Sequence, residues 1–411
     1  MLHSPFTAEE LTRYAEVAID ACLDLRPGEL LQLAYEHEHR PLAVAMAVSA
    51  YRRGLRVETT VIDPLINRAE LDHADEALLG VLSPWQVARM QARTGGAGAV
   101  VLIDGESDPE ALAGTDPRRM AVRARRWHEQ SAELIERVAA NRDSSVIVAY
   151  PSAGWAKRVY PELDLDRAQR ALAEDLLVFC RIGPEDGAGS EALSRHIAAL
   201  RERAHAANRL ALRDLRFRGP GTHLRVRLTE DAAWNYAGKT NAFGRSVFGN
   251  LPSEEIYTSP AASATEGTVR CTAPLAYHGV VYEDLRMEFR AGRLVRLDAK
   301  TAEQRDRLLG LLDLDEGGRR LGEVALVDAS SRIGERGRLY WNTLLDENQA
   351  CHMALGFGFA SCRRNGTASA DLNTSQTHID VMIGAPEVEV SGTTGRGDTI
   401  PLITDGVWRP S

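Results

Sequence analysis

This chain has few cysteines, no net positive charge and no long apolar run, and each lack removes a class of function. The five cysteines, Cys22, Cys180, Cys271, Cys351 and Cys362, are odd in number and scattered, with no C-x-x-C pair. They offer neither a disulfide framework nor a thiolate zinc site, and read as the reduced thiols of a cytoplasmic protein. The formal net charge of -9 lacks the basic face that a nucleic-acid partner would need. The best apolar run, Pro41 to Tyr51, is about half of the ~20 residues that a membrane helix requires. The opening MLHSPFTAEELTR has no basic-then-apolar signal pattern and reads as the approach to a helix. No phosphate-cradling G-x-x-x-x-G-K-[ST] occurs, so Thr94-Gly-Gly96 and Asp104-Gly105 are read as turns. Ser375 and Ser391 lack a G-x-S-x-G context, which sets aside a serine hydrolase.

What is present is enough for two cores. A chain of 411 residues exceeds one ordinary domain, and its balance of 44% hydrophobic and 26% charged residues is that of a folded, soluble protein. Thr7 with Glu10 forms a capping-box signature ahead of an amphipathic helix to about Leu25. Strands are expected at Leu30 to Tyr35, Val57 to Ile62, Ala99 to Ile103 and Ser145 to Tyr150, with a helix at about Leu42 to Arg53. Strands separated by helices of this length imply parallel crossovers and an α/β sheet. Composition changes after a long Arg/Ala/Leu-rich helix, about Ser190 to Ala211, which Arg218-Gly-Pro-Gly221 should stop. Alternating segments follow at His223 to Leu228, Arg286 to Phe289 and Leu294 to Asp298, as in antiparallel strands. The expected organisation is an α/β N-terminal domain over 1–210 and a strand-rich, mixed α+β domain over 211–411. The second would carry a dinuclear metal site.

The chemistry is concentrated in four polar segments of that second domain: NLPSEEIY (Asn250 to Tyr257), LGEVAL (Leu321 to Leu326), LLDENQACHMALG (Leu344 to Gly356) and SQTHID (Ser375 to Asp380). They supply Glu255, Glu323, Glu347, His352, His378 and Asp380. Carboxylates and imidazoles in this ratio suit a pair of borderline-hard divalent cations better than a structural zinc. His378 and Asp380 are i, i+2 on an expected strand and so share a face; Asp380 could grip the same ion or orient the imidazole. Glu347 and His352 are five apart, poor spacing for one helix face, and need a turn between them or a helix starting near Asn348. Glu323 sits among apolar residues on a strand or tight helix, where a lone carboxylate is costly to bury, so it is either on an exposed face or paired with positive charge such as a metal. Glu254 and Glu255 follow Pro252 in an expected loop, where only one easily points inward.

Other residues have plainer readings. His37 and His39 have metal-like spacing but no acidic partner set nearby, and read as ordinary polar loop residues. Cys351 beside His352 reads as a packed thiol rather than a nucleophile.

Taken in order along the chain, these segments resemble the thermophilic-type metallo-aminopeptidases of peptidase family M29. The resemblance covers nearly the whole sequence. It includes AYPSAGWAKRVYPEL (Ala149 to Leu163), RGPGTHL (Arg218 to Leu224), EGTVRCTAPLAYHG (Glu266 to Gly279), DEGGRRLGEVALV, LYWNTLLDENQACHMALG, THIDVMIG and the Gly406-Val-Trp408 ending. The resemblance implies a homodimeric, two-domain exopeptidase that carries two divalent ions and removes single residues from the free N-terminus of small peptides. By position, Glu255 rather than Glu254 matches the first ligand, Glu323 the carboxylate shared between the ions, and Glu347, His352, His378 and Asp380 the remaining ligands. Lys300 also lies in a matching segment, with a salt bridge as its plain role. One departure stands out: where the family pattern H-x-A-L-G-x-x-Y ends in a tyrosine thought to assist the tetrahedral intermediate, this chain has Phe359, which fills space but donates no hydrogen bond. Tyr340 is one candidate substitute.

The expected mechanism is metal-assisted amide hydrolysis. Glu323 would bridge the ions (zinc, cobalt, manganese or magnesium), and a carboxylate such as Glu255 would carry the proton to the leaving amine. Two rivals are a different metal-dependent reaction, either non-peptide amide hydrolysis or iron-dependent ring-opening oxygenation on His352, His378 and Asp380, and a silent binding protein.

Overall fold

The protein is described by a computed structural model covering residues 4–91, 98–131, 134, 137, 142–187, 189–277, 280–364 and 371–410; the Thr94–Gly96 turn lies outside them. The chain divides into two compact units, one of residues 1–195 with 238–251, the other of 196–237 with 252–411. This differs from the expected 1–210 and 211–411 in two ways. The division falls inside the helix Glu191–Arg209, whose sequence periodicity does not reveal a change of partners. The short strand Asn250–Leu251 pairs in parallel with Ser144–Ala149, a non-local pairing that returns Gly238–Leu251 to the first unit.

In the first unit the expected alternation builds a five-stranded sheet. Its order is Asn250–Leu251, Ser144–Ala149, Gly98–Asp104, Leu30–Glu36, Arg56–Ile62, and every pair is parallel. Parallel neighbours require crossovers of about a dozen residues, which the helices supply. The helix that precedes the first strand, Ala8–Asp20, opens with the anticipated capping box: Glu10 N–H donates to Thr7 Oγ1 at 3.2 Å and Thr7 N–H to Glu10 Oε2 at 2.8 Å. His39 corrects the sequence reading. It is not a solvated loop residue but is fully buried, on a short 3-10 turn His37–His39, with Nδ1 2.9 Å from Ile103 O.

The second unit contains, among the described residues, the short antiparallel pair Leu275–Tyr277 with Val280–Tyr282 and two large antiparallel sheets. One has eight strands, in the order Arg293–Asp298, Arg286–Arg290, Thr265–Arg270, Thr222–Arg227, Leu212–Gly219, Glu389–Thr394, Thr399–Thr404, Val407–Trp408. The other has five, in the order His378–Met382, His352–Gly356, Leu321–Val327, Glu255–Thr258, Asn235–Tyr236. Alternate residues of the larger sheet, such as Leu215, Phe217, Leu224, Val226, Met287 and Phe289, fill one core together with Val324, Met353, Leu355 and Val381 of the smaller. The smaller sheet therefore buries one face in apolar packing, and its other face carries the chemistry. All five cysteines are free and buried. Among the described residues no helix is long and apolar enough to cross a membrane.

Candidate metal centre

Register explains why residues scattered over more than a hundred positions meet. Glu323 pairs with Ala354, and Ala354 with Asp380, so these three lie in one row across three strands. Residues directly opposite in a sheet point to the same face, as do i and i+2 along a strand. His352 shares the face through Ala354 and His378 through Asp380. Glu255 pairs with Val327, two steps of two from Glu323, and shares it as well. Small residues, Ala325, Ala354 and Gly356, lie between the polar side chains, a bed that sequence reading did not single out. The register shifts by a β-bulge between Leu321 and Glu323, immediately before the central carboxylate, where a bulge is able to set the aim of a side chain.

Each polar segment takes a defined form. The expected loop around Glu254 and Glu255 is corrected: a strand begins at Glu255. Glu254 turns aside, its N–H donating to Asn348 Oδ1 at 2.7 Å and its Oε2 lying 3.6 Å from His196 Nε2. Glu347 follows the short helix Thr343–Asp346, and the chain turns before the strand His352–Gly356, so the turn reading of the five-residue spacing holds and no helix starts at Asn348. Asp346 Oδ1 and Oδ2 accept from the N–H groups of Tyr340 (2.8 Å) and Asn342 (3.1 Å), which pins that helix.

The ligand atoms form two groups. Glu255, Glu323 and His352 place ligand atoms within 4.8 Å of one another, as do Glu323, His378 and Asp380. Glu323 belongs to both. His352 Nε2 is 3.1 Å from Glu255 Oε2, and His378 Nε2 is 3.2 Å from Glu323 Oε2 and 3.4 Å from Asp380 Oδ1. His378 Nδ1 lies 2.9 Å from Phe357 O; a proton on Nδ1 donated there leaves Nε2 free to act as a ligand. Glu347 is in neither group, yet the charges that act on it are those of Asp380, Glu255, His352 and Glu323.

The electrostatics are those of a buried, carboxylate-rich face. Burial raises the Glu323 carboxyl, opposed by its bond to His378, and burial with the charges of Asp380 and Glu255 holds Glu347 well above the usual carboxylate range. Burial would lower His352, but its bond to Glu255 and the surrounding carboxylates push it up to about 10. His378 is likewise lowered by burial and raised, by more, through Asp380 and Glu323. Burial raises Asp380, and the charge of His378 more than reverses this. Four carboxylates face two imidazoles, and the one group within 3.1 Å of the buried Glu255 Oε2 that the described residues show is the His352 ring. An acidic, sulfur-free donor set with more carboxylates than imidazoles fits divalent cations.

Phe359 stands at the rim of this face. Its ring lies edge-on to His378 (centroids 5.4 Å), Phe357 (5.4 Å) and Tyr257 (5.6 Å). Tyr340, the substitute donor suggested by sequence, is fully buried. Two phenols that sequence reading missed have site carboxylates as electrostatic neighbours: Tyr257, raised well above its ordinary value by burial, Cys362, Glu323 and Glu255, and Tyr277, pushed up to about 12 by burial and Asp380. The signal for Tyr257 was its i+2 spacing from Glu255. Lys300 has its plain role, a 2.9 Å salt bridge to Glu283. Cys351 is packed, its thiol pushed up to about 12 by burial.

Comparison with known proteins agrees over the whole chain. It is 33% identical over 410 residues to Aminopeptidase T of Thermus aquaticus, covering 97% of this chain and 98% of that one. The structure of wild-type AmpT from Thermus thermophilus superposes with a TM-score of 0.87 at 33% identity, covering 97% of this chain and 99% of that one. A 2,5-dihydroxypyridine dioxygenase from Pseudomonas putida KT2440 shares the fold, with a TM-score of 0.55 at 10% identity, covering 98% of each chain. Residues 7–408 match the family described as thermophilic metalloprotease (M29), and the chain belongs to that family.

Proposed function

We propose that this protein is an aminopeptidase that removes the first residue from small peptides with a free amino terminus, using two divalent cations held on the face of the second unit's five-stranded sheet. The observation that carries this reading is Glu323, which belongs to both ligand groups and so is disposed to bridge two ions. Glu255 and His352 would hold one, His378 and Asp380 the other, and Glu347 would complete the set. When bound, zinc, cobalt, manganese or magnesium ions would make a water between them acidic near neutral pH and polarise the scissile carbonyl. His378, with Nδ1 turned to Phe357 O, keeps Nε2 in place for this. Glu255 would carry the proton from the attacking water to the leaving amine. The excess of carboxylates favours a substrate that brings a positive α-amine, so an N-acetylated peptide should be refused. A homodimeric, cytoplasmic protein belongs to the same reading through the family resemblance.

The test is release of free amino acids from paired unblocked and N-acetylated dipeptides by metal-reconstituted protein, with and without chelator. Chelator-sensitive cleavage of the unblocked member alone is expected. Equal cleavage of both, or none from folded, metal-loaded protein, would overturn the assignment.

A further inference from the structure

The ligand face has carboxylates and imidazoles in abundance, but amide hydrolysis also builds negative charge on the former carbonyl oxygen, and a preorganised donor at that point is among the larger catalytic contributions. Phe359 beside His378 has no donor to offer. Its edge-on neighbour does. Tyr257 lies two residues after Glu255 on the same strand, opposite Ala325. Ala325 in turn pairs with His352, so the Tyr257 side chain leaves the sheet on the ligand face. The small Ala325 gives the ring room. The ring is 5.6 Å from that of Phe359, and the carboxylates that act on its phenol are Glu323, which joins both ligand groups, and Glu255. Tyr277 is the other phenol near the face, but its carboxylate neighbour is Asp380 on the outermost strand, away from Glu255.

We infer that Tyr257 is a catalytic residue of this chain, its hydroxyl donating a hydrogen bond to the oxyanion of the tetrahedral intermediate from the place beside Phe359. The phenol stays protonated throughout and gives up no proton; it acts by position alone. The inference rests on the peptidase reading proposed above, and goes beyond it in assigning the oxyanion donor.

The experiment compares the parent, Tyr257→Phe, Tyr277→Phe and the double variant Tyr257→Phe/Phe359→Tyr, all metal-reconstituted. Two quantities are read: steady-state cleavage of an unblocked dipeptide, and the inhibition constant of a phosphinate dipeptide whose tetrahedral phosphorus mimics the intermediate. Metal content by elemental analysis and far-ultraviolet circular dichroism check that the site and fold survive. Tyr257→Phe is expected to lower kcat by about two to three orders of magnitude, with KM changed little. The phosphinate should weaken in proportion while metal content stays at the parental level. Adding Phe359→Tyr should restore most of both, because the new phenol enters the same space. Tyr277→Phe should lose no more than a few-fold. A metal-loaded Tyr257→Phe that keeps parental kcat and phosphinate affinity would overturn the inference, as would a larger loss in Tyr277→Phe. Absence of cleavage by the parent itself would instead remove the peptidase reading, and this inference with it.

Discussion

A histidine almost wholly buried with a carboxylate oxygen 3.1 Å away holds its proton until a stronger cation displaces it. His352 is pushed up to about 10 and His378 is raised as well, whereas a metal-bound imidazole must be neutral. Below the raised value, each cation bound at His352 therefore expels a proton, and apparent affinity rises by about tenfold per pH unit for each proton released. Competition against a chromophoric chelator at several pH values between 6.5 and 8.5 should show affinity climbing by at least this slope. A flat profile would contradict His352 and His378 as ligands. The neighbouring Cys351 makes the opposite prediction. Its thiol is buried and pushed up to about 12, with Sγ 3.5 Å from Val327 N, so it is neither ionised nor accessible. Iodoacetamide at neutral pH should leave peptidase activity within a factor of about two, although Cys351 directly precedes the proposed ligand His352. Rapid inactivation by alkylation at Cys351 would refute this.

At the scale of strands, the position of the central carboxylate depends on a glycine rather than on charge. Gly322 lies in the bulge before Glu323, and a Cβ there would meet Gly356 O and Phe357 O, each at 2.1 Å. Backbone oxygens held in a sheet cannot step aside, so Gly322→Ala should cost about 1–3 kcal/mol or more of stability. It should also turn Glu323 off the ligand face and reduce bound metal. Urea unfolding and metal analysis of the purified variant would check both; parental stability with full metal content would show that the bulge does not set the carboxylate. This is also where sequence and structure part. The pair His378 and Asp380 was legible because an i, i+2 spacing on a strand fixes a face whatever the strand pairs with. Glu323 drew notice because a carboxylate among apolar residues is either on an exposed face or paired with positive charge, and the structure buries it beside His378. The five-residue gap from Glu347 to His352 was only half legible, since the chain passes there from helix through a turn to strand and no single period applies. The bulge, the small bed of Ala325, Ala354 and Gly356, and the place of Tyr257 depend on register between distant strands, which one sequence does not display. For the same reason the return of Gly238–Leu251 to the first unit was missed, whereas the parallel strands, whose helix-linked alternation is local, were found to within a residue or two.

Across the whole molecule, the two units should answer to different solution conditions. In the first, burial lowers His39 to about 4 from an unfolded value near 6.5. A histidine depressed in this way is neutral in the folded state while the unfolded chain takes up a proton, so stability is full above about 6.5 and falls as pH drops toward 4. The loss comes to about 3 kcal/mol by linkage. His39→Gln should abolish that part of the pH dependence, read as the difference between parent and variant in urea unfolding at pH 7 and pH 4.5; parallel curves would refute it. The second unit answers to metal. Its candidate ligand face crowds four carboxylates together, and burial with the charges of Asp380 and Glu255 already holds Glu347 well above the usual range, a cost that the folded state bears and the unfolded chain escapes by separation. Cations that bind only the assembled face add stability by mass action, about 4 kcal/mol at a thousandfold excess over the dissociation constant. Hydrogen exchange can locate this. Amides of the strands Leu321–Val327, His352–Gly356 and His378–Met382 should slow by several hundredfold when zinc is added, while those of Leu30–Glu36 and Gly98–Asp104 should change far less, because their sheet contains none of the proposed ligands. Uniform slowing in both units would mean that they unfold as one, and no slowing in the second would mean that the cation is held elsewhere.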